Sequence, residues 1–522
     1  MRKLAVLHTD ATAYAAEIVF TALVRSFTSA QIVRVNYDQP GSLPHAAVLI
    51  EPDDRRHALV RNLLNAGRKV LALGSLGPRV AEALGLTLVD EPGYPADLSF
   101  ASPDPSRHHD ESAGRVKYFD KHPLALLAPL RVRPLTRFDF ADEWNNLGFG
   151  RIESDGGPWS ISANVQATEA TPIATVDDAR DGEVTLYAAV LDRADAAALW
   201  INRPVGPVDS LEWRIVEAFF GDYRPEELVT FPYLSEVPRG YRGGVVMRLD
   251  CDEAIAASRP LMELYRQAGV PLSLAILTGQ QSDEADERLL AELVENGGSI
   301  LSHSVHHYPN WGGSYHVALE EAEGSKEWLE QRVPAAAPVE YAVSPFHQNP
   351  PYAVQALADT GYQGFVGGII ANDPEYLLGR AGRVPFAQSH LVSHSAQCML
   401  HGDCFHRYGN RIDTYVQSFE MHLAAGALFG YLDHPFSSRY QYGWNDESER
   451  TGVHRQLLER LRREPGLWWP NLVTLMQYLS RRNGCRVGVE DEGRLVSDLV
   501  PGAEIPGICW QGNPDVVSAS VS

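Results

Sequence analysis

Two stretches decide the fold: Glu295-Asn-Gly-Gly-Ser-Ile-Leu-Ser-His-Ser-Val-His-His307 and Gly244-Val-Val-Met-Arg-Leu-Asp-Cys-Asp-Glu253. Each is a short apolar run that ends in side chains able to hold a metal or move a proton. Working outward, runs of the same kind recur between helical stretches. Residues 244–249, 272–277, 299–302, 341–344, 364–368 and 428–432 read as strands. Residues 252–268, 284–296, 320–331, 353–360, 455–463 and 472–481 read as helices. Such alternation with short connections predicts an α/β fold with a parallel sheet, here a distorted (β/α) barrel. Sites in that architecture are built at the C-terminal rim of the strands. Asp250, His303 and His434 each stand just after an apolar run, so the rim can bring them together.

The remainder of the chain sets bounds. At 522 residues two or three units are expected, because a single core stops growing well below that length. Residues 4–8, 32–36, 46–50 and 70–73 predict an α/β unit. Additional strands at 159–165, 183–191 and 198–201 complete its sheet. The expected divisions are 1–235 for this α/β unit, 236–482 for the barrel, and 483–522 for a small β or irregular appendage. The turn after residues 70–73 lacks the glycine spacing of a nucleotide loop. Lys+Arg 45 against Asp+Glu 67 leaves a net charge of −22, which argues against a nucleic-acid partner. No run has the length of a membrane span, and the first residues read as a strand rather than a signal peptide, so cytoplasmic residence is expected. The five scattered cysteines are expected as reduced thiols, including the neighbouring Cys398 and Cys404.

The chemistry follows from residue types. His303 and His307 are four apart, so a helical turn would put both imidazoles on one face. Two neutral imidazoles with one carboxylate bind a divalent cation and leave positions open, a set suited to Zn²⁺ or a similar first-row ion such as Co²⁺ or Ni²⁺. Asp252 is the expected third ligand and Asp250 the base that takes a proton from water; the converse assignment stays open. His434 is the expected proton donor to a leaving group, with Asp433 as a candidate to orient it. Strand alternation turns Cys251 away from its two acidic neighbours and into the core. His306 is expected outward or just behind the ligands, and Ser304 is expected to hold the loop through a backbone bond.

With those residues in place, the region from about 244 to 480 resembles the polysaccharide deacetylases of the NodB-homology type, carbohydrate esterase family four. His303-Ser304-Val305-His306-His307 matches that family's His-Ser/Thr-x-x-His motif, and Asp250-Cys251-Asp252 corresponds to its Asp-Asp pair across one inserted position. Leu432-Asp433-His434 resembles the late Leu-x-His motif. Ser344-Pro345-Phe346 stands where the family has Arg-Pro-Pro-Tyr, without the arginine, and the fourth motif has no counterpart. The resemblance implies metal-dependent removal of an N-acetyl group from a carbohydrate or glycoconjugate. It implies Asp250 and His434 as catalytic groups, Asp252, His303 and His307 as ligands, and an oxyanion donor from the backbone near Phe346. A non-sugar N-acyl substrate, or an inactive binding protein, is the competing expectation. Tyr308, Trp311 and Tyr315 are candidates for a sugar-stacking surface or, equally, ordinary packing aromatics, and beyond His434 the residues Tyr440, Tyr442 and Trp444 are candidates to line the cleft. The segment 389–413, with Phe405, His406 and Tyr408, is a candidate lid.

Overall fold

The computed structural model describes residues 1–39, 41–89, 115–119, 121–126, 132–134, 161–178, 182–207, 211–280, 282–367, 379–388, 390–394, 397–407, 409–438 and 440–511. Tyr408, Trp159 and most of the stretch 96–130 lie outside the described residues. Among the described residues the N-terminal sheet has nine strands. Five are parallel, in the spatial order Ile32–Asn36, Leu4–His8, Ala46–Ile50, Lys69–Leu73 and Ala197–Ile201. The later strands Gly182–Asp192, Thr171–Asp178, Arg115–Tyr118 and Val132–Pro134 extend the sheet with antiparallel pairing. The second half of this region therefore completes the first sheet. Of the strand expected over 159–165, residues 161–164 carry no regular structure, and Val165 opens the strand Val165–Ala167, paired with Leu86–Leu88 outside the main sheet.

The second sheet carries the rim. Its parallel strands are β1 (Gly243–Cys251), β2 (Ser273–Ile276), β3 (Ser299–Ser302), β4 (Tyr341–Val343), β5 (Gly364–Val366), β6 (Val392–His394), β7 (Gln397–Met399) and β8 (Leu428–Asp433). Pairing runs β6-β5-β4-β3-β2-β1-β8-β7. Only two residues separate β6 from β7, so one stretch of chain pairs with β5 by its first half and with β8 by its second. The sheet thus curls into a half-barrel, with β6 and β7 near its two ends.

All nine residues of β1 are buried, because both of its faces are covered. Val245, Met247, Leu249 and Cys251 join the layer under the outer helices, and Val246 joins a second cluster with Leu301, Val343, Leu472 and Leu475. Arg248 and Asp250 follow Val246 at intervals of two, so that face passes from apolar floor to polar rim. The helix α1 (Arg259–Ala268) begins later than the expected 252–268, because Asp252 to Ala254 stay non-helical and Pro260 presets the first turn. Then follow α2 (Glu284–Glu295), opened by an Asp283–Asp286 capping box, and α3 (Tyr315–Arg332), capped by Ser314.

The helix expected at 455–463 spans Glu447–Leu461, started by an Asp446 cap ahead of a charged first turn that carries no apolar period. The segment after it returns to the boundary region: Pro506–Cys509 pairs antiparallel with Tyr233–Pro238. Helices beside the first sheet are also tied to the second region. Arg25 donates to the carbonyls of Arg380 and Arg383 and to Ser393 Oγ, while Glu217 receives both arms of Arg380. All five cysteines are free thiols, four of them buried. Among the described residues no helix is long and apolar enough to cross a membrane.

Candidate functional site

Strand register sets the heights of the rim residues. Cys251 is level with Ile276 and Ile276 with Ser302, so the next residue up on β1 and β3 is Asp252 and His303. Leu249 is level with Asp433, which brings Asp250 beside His434. One ligand atom each from Asp252, His303 and His307 lies within 4.8 Å of the others.

The histidine segment is not the helical turn that its spacing predicts. Residues 303–308 are non-helical, with Ser304 at φ 66° and His307 at φ 55°. A loop wins because its groups find stronger partners outside the segment. The Glu321 carboxylate, reaching in from α3, accepts from the N–H of Val305 at 2.9 Å and of His306 at 2.8 Å. Ser304 Oγ accepts from the His307 N–H at 3.1 Å, as the sequence suggests. Val305 is held from the other side, its carbonyl accepting from the Gly279 N–H at 2.9 Å. The imidazoles still converge, with His303 Nε2 3.1 Å from His307 Nε2. His306 turns outward, its Nδ1 2.6 Å from Glu321 Oε1.

Three features of this chain fit a cation between those groups. His303 Nδ1 is 2.9 Å from the Val343 carbonyl, which can only accept, so the proton of a neutral His303 sits on Nδ1 and the Nε2 lone pair faces inward. Asp252 Oδ1 is buried and makes no geometrically defined hydrogen bond, its contact with His303 Nε2 being an ion-pair approach of 3.3 Å. His307 is pushed down to about 4 by burial and by His303, so it is neutral near neutral pH. Burial lowers the pKa of His303 as well, yet Asp250 and Asp252 outweigh it and raise the net value, the response of a site whose field favours positive charge.

Asp250 has a partner that sequence reasoning overlooked. Arg248 Nε donates to Oδ1 at 2.7 Å and Nη2 to Oδ2 at 3.0 Å, and both side chains are almost fully buried. Burial alone would raise the Asp250 pKa; Arg248, with His303 and His434, more than reverses this and holds the carboxyl well below its usual range. An arginine therefore orients this carboxylate although the segment at 344–347 carries none. The i,i+2 spacing on one strand was the available signal.

His434 stands on the other side, its Nε2 3.4 Å from Asp252 Oδ2. Asp433 does not orient the ring. Its Oδ1 accepts from the His434 backbone N–H at 2.8 Å, and its Oδ2 from Arg450 at 2.7 Å and His454 at 3.0 Å. Adjacent residues on an extended strand point to opposite faces, which sends this carboxylate into the core. The neighbours of the ring are His401, 2.7 Å from Nδ1, and Tyr442, stacked at 4.2 Å. His347 is a further buried group at this site, held neutral by burial and by Arg248. The N–H groups of His347 and Gln348 are taken up by the carbonyls of Ser344 and Pro345, within the turn that follows β4. Neither His347 nor His401 had a motif to announce it.

The aromatic candidates separate. Trp311 and Trp444 are buried core residues, and Trp311 Nε1 donates to the Gln348 carbonyl at 3.2 Å. Tyr308, Tyr315 and Tyr440 are exposed, and Tyr315 is bonded to Asp359. Of the candidate lid, Phe405 is buried on the short helix Gly402–Arg407.

No family model and no curated protein matches the chain. Among solved structures it is similar to Agd3, a carbohydrate deacetylase, at 10% identity and TM-score 0.40, over 98% of this chain and 92% of that one. A family 4 carbohydrate esterase from Bacillus anthracis matches at 13% identity and TM-score 0.29, over 46% of this chain and 86% of that one. A second Bacillus anthracis protein, described as a CE4 family pseudoenzyme, matches at 12% identity and TM-score 0.30, over 46% and 66%.

Proposed function

We propose that the chain is a metal-dependent hydrolase that removes an N-acetyl group from a carbohydrate or glycoconjugate. The observation that carries this reading is the convergence of Asp252, His303 and His307, with one orphaned carboxylate oxygen among them, between Asp250 and His434. Asp252, His303 and His307 would hold a divalent cation, with Zn²⁺ favoured by the nitrogen-rich set and Co²⁺ or Ni²⁺ as substitutes. Such a cation supplies charge that polarises an acyl carbonyl and lowers the pKa of water.

The protein's own groups move the protons. Asp250, kept ionised by Arg248, uses a remaining lone pair to accept a proton from the attacking water. The water oxygen forms a bond to the carbonyl carbon. The C–N bond then breaks with its electron pair on nitrogen, which takes a proton from His434 Nε2. Acetate and a free amine are the products. Tyr308 and Tyr440 are exposed and offer aromatic surface to a sugar ring.

Metal analysis together with an acetate-release assay on N-acetylglucosamine oligomers tests the proposal. Wild type is expected to hold about one divalent ion per chain and release acetate. His303→Ala should lose the ion, while Asp250→Asn should keep it and lose turnover. Equal, negligible metal in wild type and His303→Ala after supplementation would sink the reading.

A further inference from the structure

We propose that His401 is a positioning residue for proton delivery, holding the ring of His434 through the contact between His401 Nε2 and His434 Nδ1. This inference rests on the reading above, in which His434 protonates the departing nitrogen.

The contact is built by the fold. On β7 and β8, Gln397 is level with Gly430, Cys398 with Tyr431 and Met399 with Leu432. Two places further along the same parallel register, His401 stands level with His434. The two nitrogens are 2.7 Å apart and both side chains are buried. The ring of Tyr442 lies flat on His434, at 4.2 Å and 16°, and within 5.3 Å of His401. One edge and one face of His434 are thus occupied, and its Nε2 edge is left facing Asp252.

His401 and Tyr442 are also fastened to each other. The Gly402 N–H donates to the Tyr442 carbonyl at 2.9 Å. A Cβ on Gly402 would lie 2.2 Å from the Gly443 carbonyl carbon and the Trp444 nitrogen, so only glycine permits this crossing of two backbones. The carboxylate adjacent in sequence, Asp433, is committed to Arg450, His454 and the His434 backbone.

The pairing has a defined role in the proton step. A protonated His434 carries N–H on both ring nitrogens, and the Nδ1–H needs an acceptor once it is buried. His401 Nε2 supplies the lone pair when the His401 proton is on its own Nδ1. When His434 Nε2 gives its proton to the leaving nitrogen, the Nδ1–H and its bond to His401 persist. One proton moves and the ring does not turn.

The test exploits the leaving group. An N-acetyl amide needs its nitrogen protonated as the C–N bond breaks, whereas the phenolate of p-nitrophenyl acetate departs without a proton. For His401→Phe we expect kcat on N-acetylglucosamine oligomers to fall by about 100-fold, with KM and metal content near those of wild type. The aryl ester should fall by under about threefold, since it does not use the proton. His401→Gln, whose amide oxygen can accept at the same place, should recover most of the amide activity. A parallel fall on both substrates, or no fall on either, would overturn the role of His401 while leaving the deacetylase reading standing. A wild type that holds metal and cleaves neither substrate would instead sink that reading and this inference with it.

Discussion

Truncating Glu321 to alanine should weaken metal binding without touching any ligand. The carboxylate is 3% exposed, accepts two backbone N–H groups of the histidine loop at 2.9 and 2.8 Å, and meets His306 Nδ1 at 2.6 Å. Hydrogen bonds to a charged group contribute about 1.5–3 kcal/mol each. The loop they hold contains Ser304 at φ 66° and His307 at φ 55°, left-handed conformations for side chains that do not favour them. Such residues cost about 1–3 kcal/mol each and persist only where surrounding contacts over-determine them. Without Glu321 the loop can relax, and a bound cation must restore its shape. If about 1.5–3 kcal/mol of that organisation is lost, affinity falls by about 10- to 150-fold, at 1.4 kcal/mol per decade. Competition with a chromophoric chelator, using Zn²⁺ and Co²⁺ on the folded variant, measures this. Glu321→Gln, which keeps an uncharged acceptor, should lie between the two. A Glu321→Ala variant that folds and binds metal within about twofold of wild type would refute the reasoning.

Two further outcomes are expected. Gly279→Ala would place a Cβ 2.2 Å from the Val305 carbonyl oxygen, so the histidine loop must shift; chelator competition should show metal binding weakened at least about tenfold. Glu217→Gln should flatten the acid limb of stability. Burial raises the Glu217 pKa, but Arg380, Arg214 and Ser26 outweigh it and hold the group down to about 2. A depressed carboxylate stabilises the fold above its unfolded pKa of about 4.3, and that contribution disappears as pH falls toward about 2. The contribution is on the order of 3 kcal/mol, so urea midpoints of wild type and variant should differ at pH 7 and converge toward pH 3. A constant difference across that range would contradict the assignment.

Much of the second sheet was legible because its signals are local. Apolar runs at 244–249, 299–302 and 428–432 correspond to β1, β3 and β8, and the chemistry-bearing residues stand at their upper ends. Alternation correctly sent Cys251 into the core. The histidine loop was misread as helix because spacing reports only which side chains can meet. The backbone route by which they do so depends on Glu321, on a helix that follows the loop. Whether Trp311 lines the cleft or packs in the core was open in the sequence for the same reason, since its burial depends on a segment that begins more than thirty residues later.

By itself the sequence determined the strand–helix alternation and the acids and histidines at strand ends, from which the proposed chemistry is argued. Period and position along the chain are written in residue order. Only the tertiary structure decided which groups serve those residues: Arg248 for Asp250, Glu321 for the loop, and His401 rather than Asp433 for His434. Those pairings follow from strand register and from the packing of helices on the sheet. A parallel sheet brings together residues distant in sequence through contacts that leave no local periodicity to read.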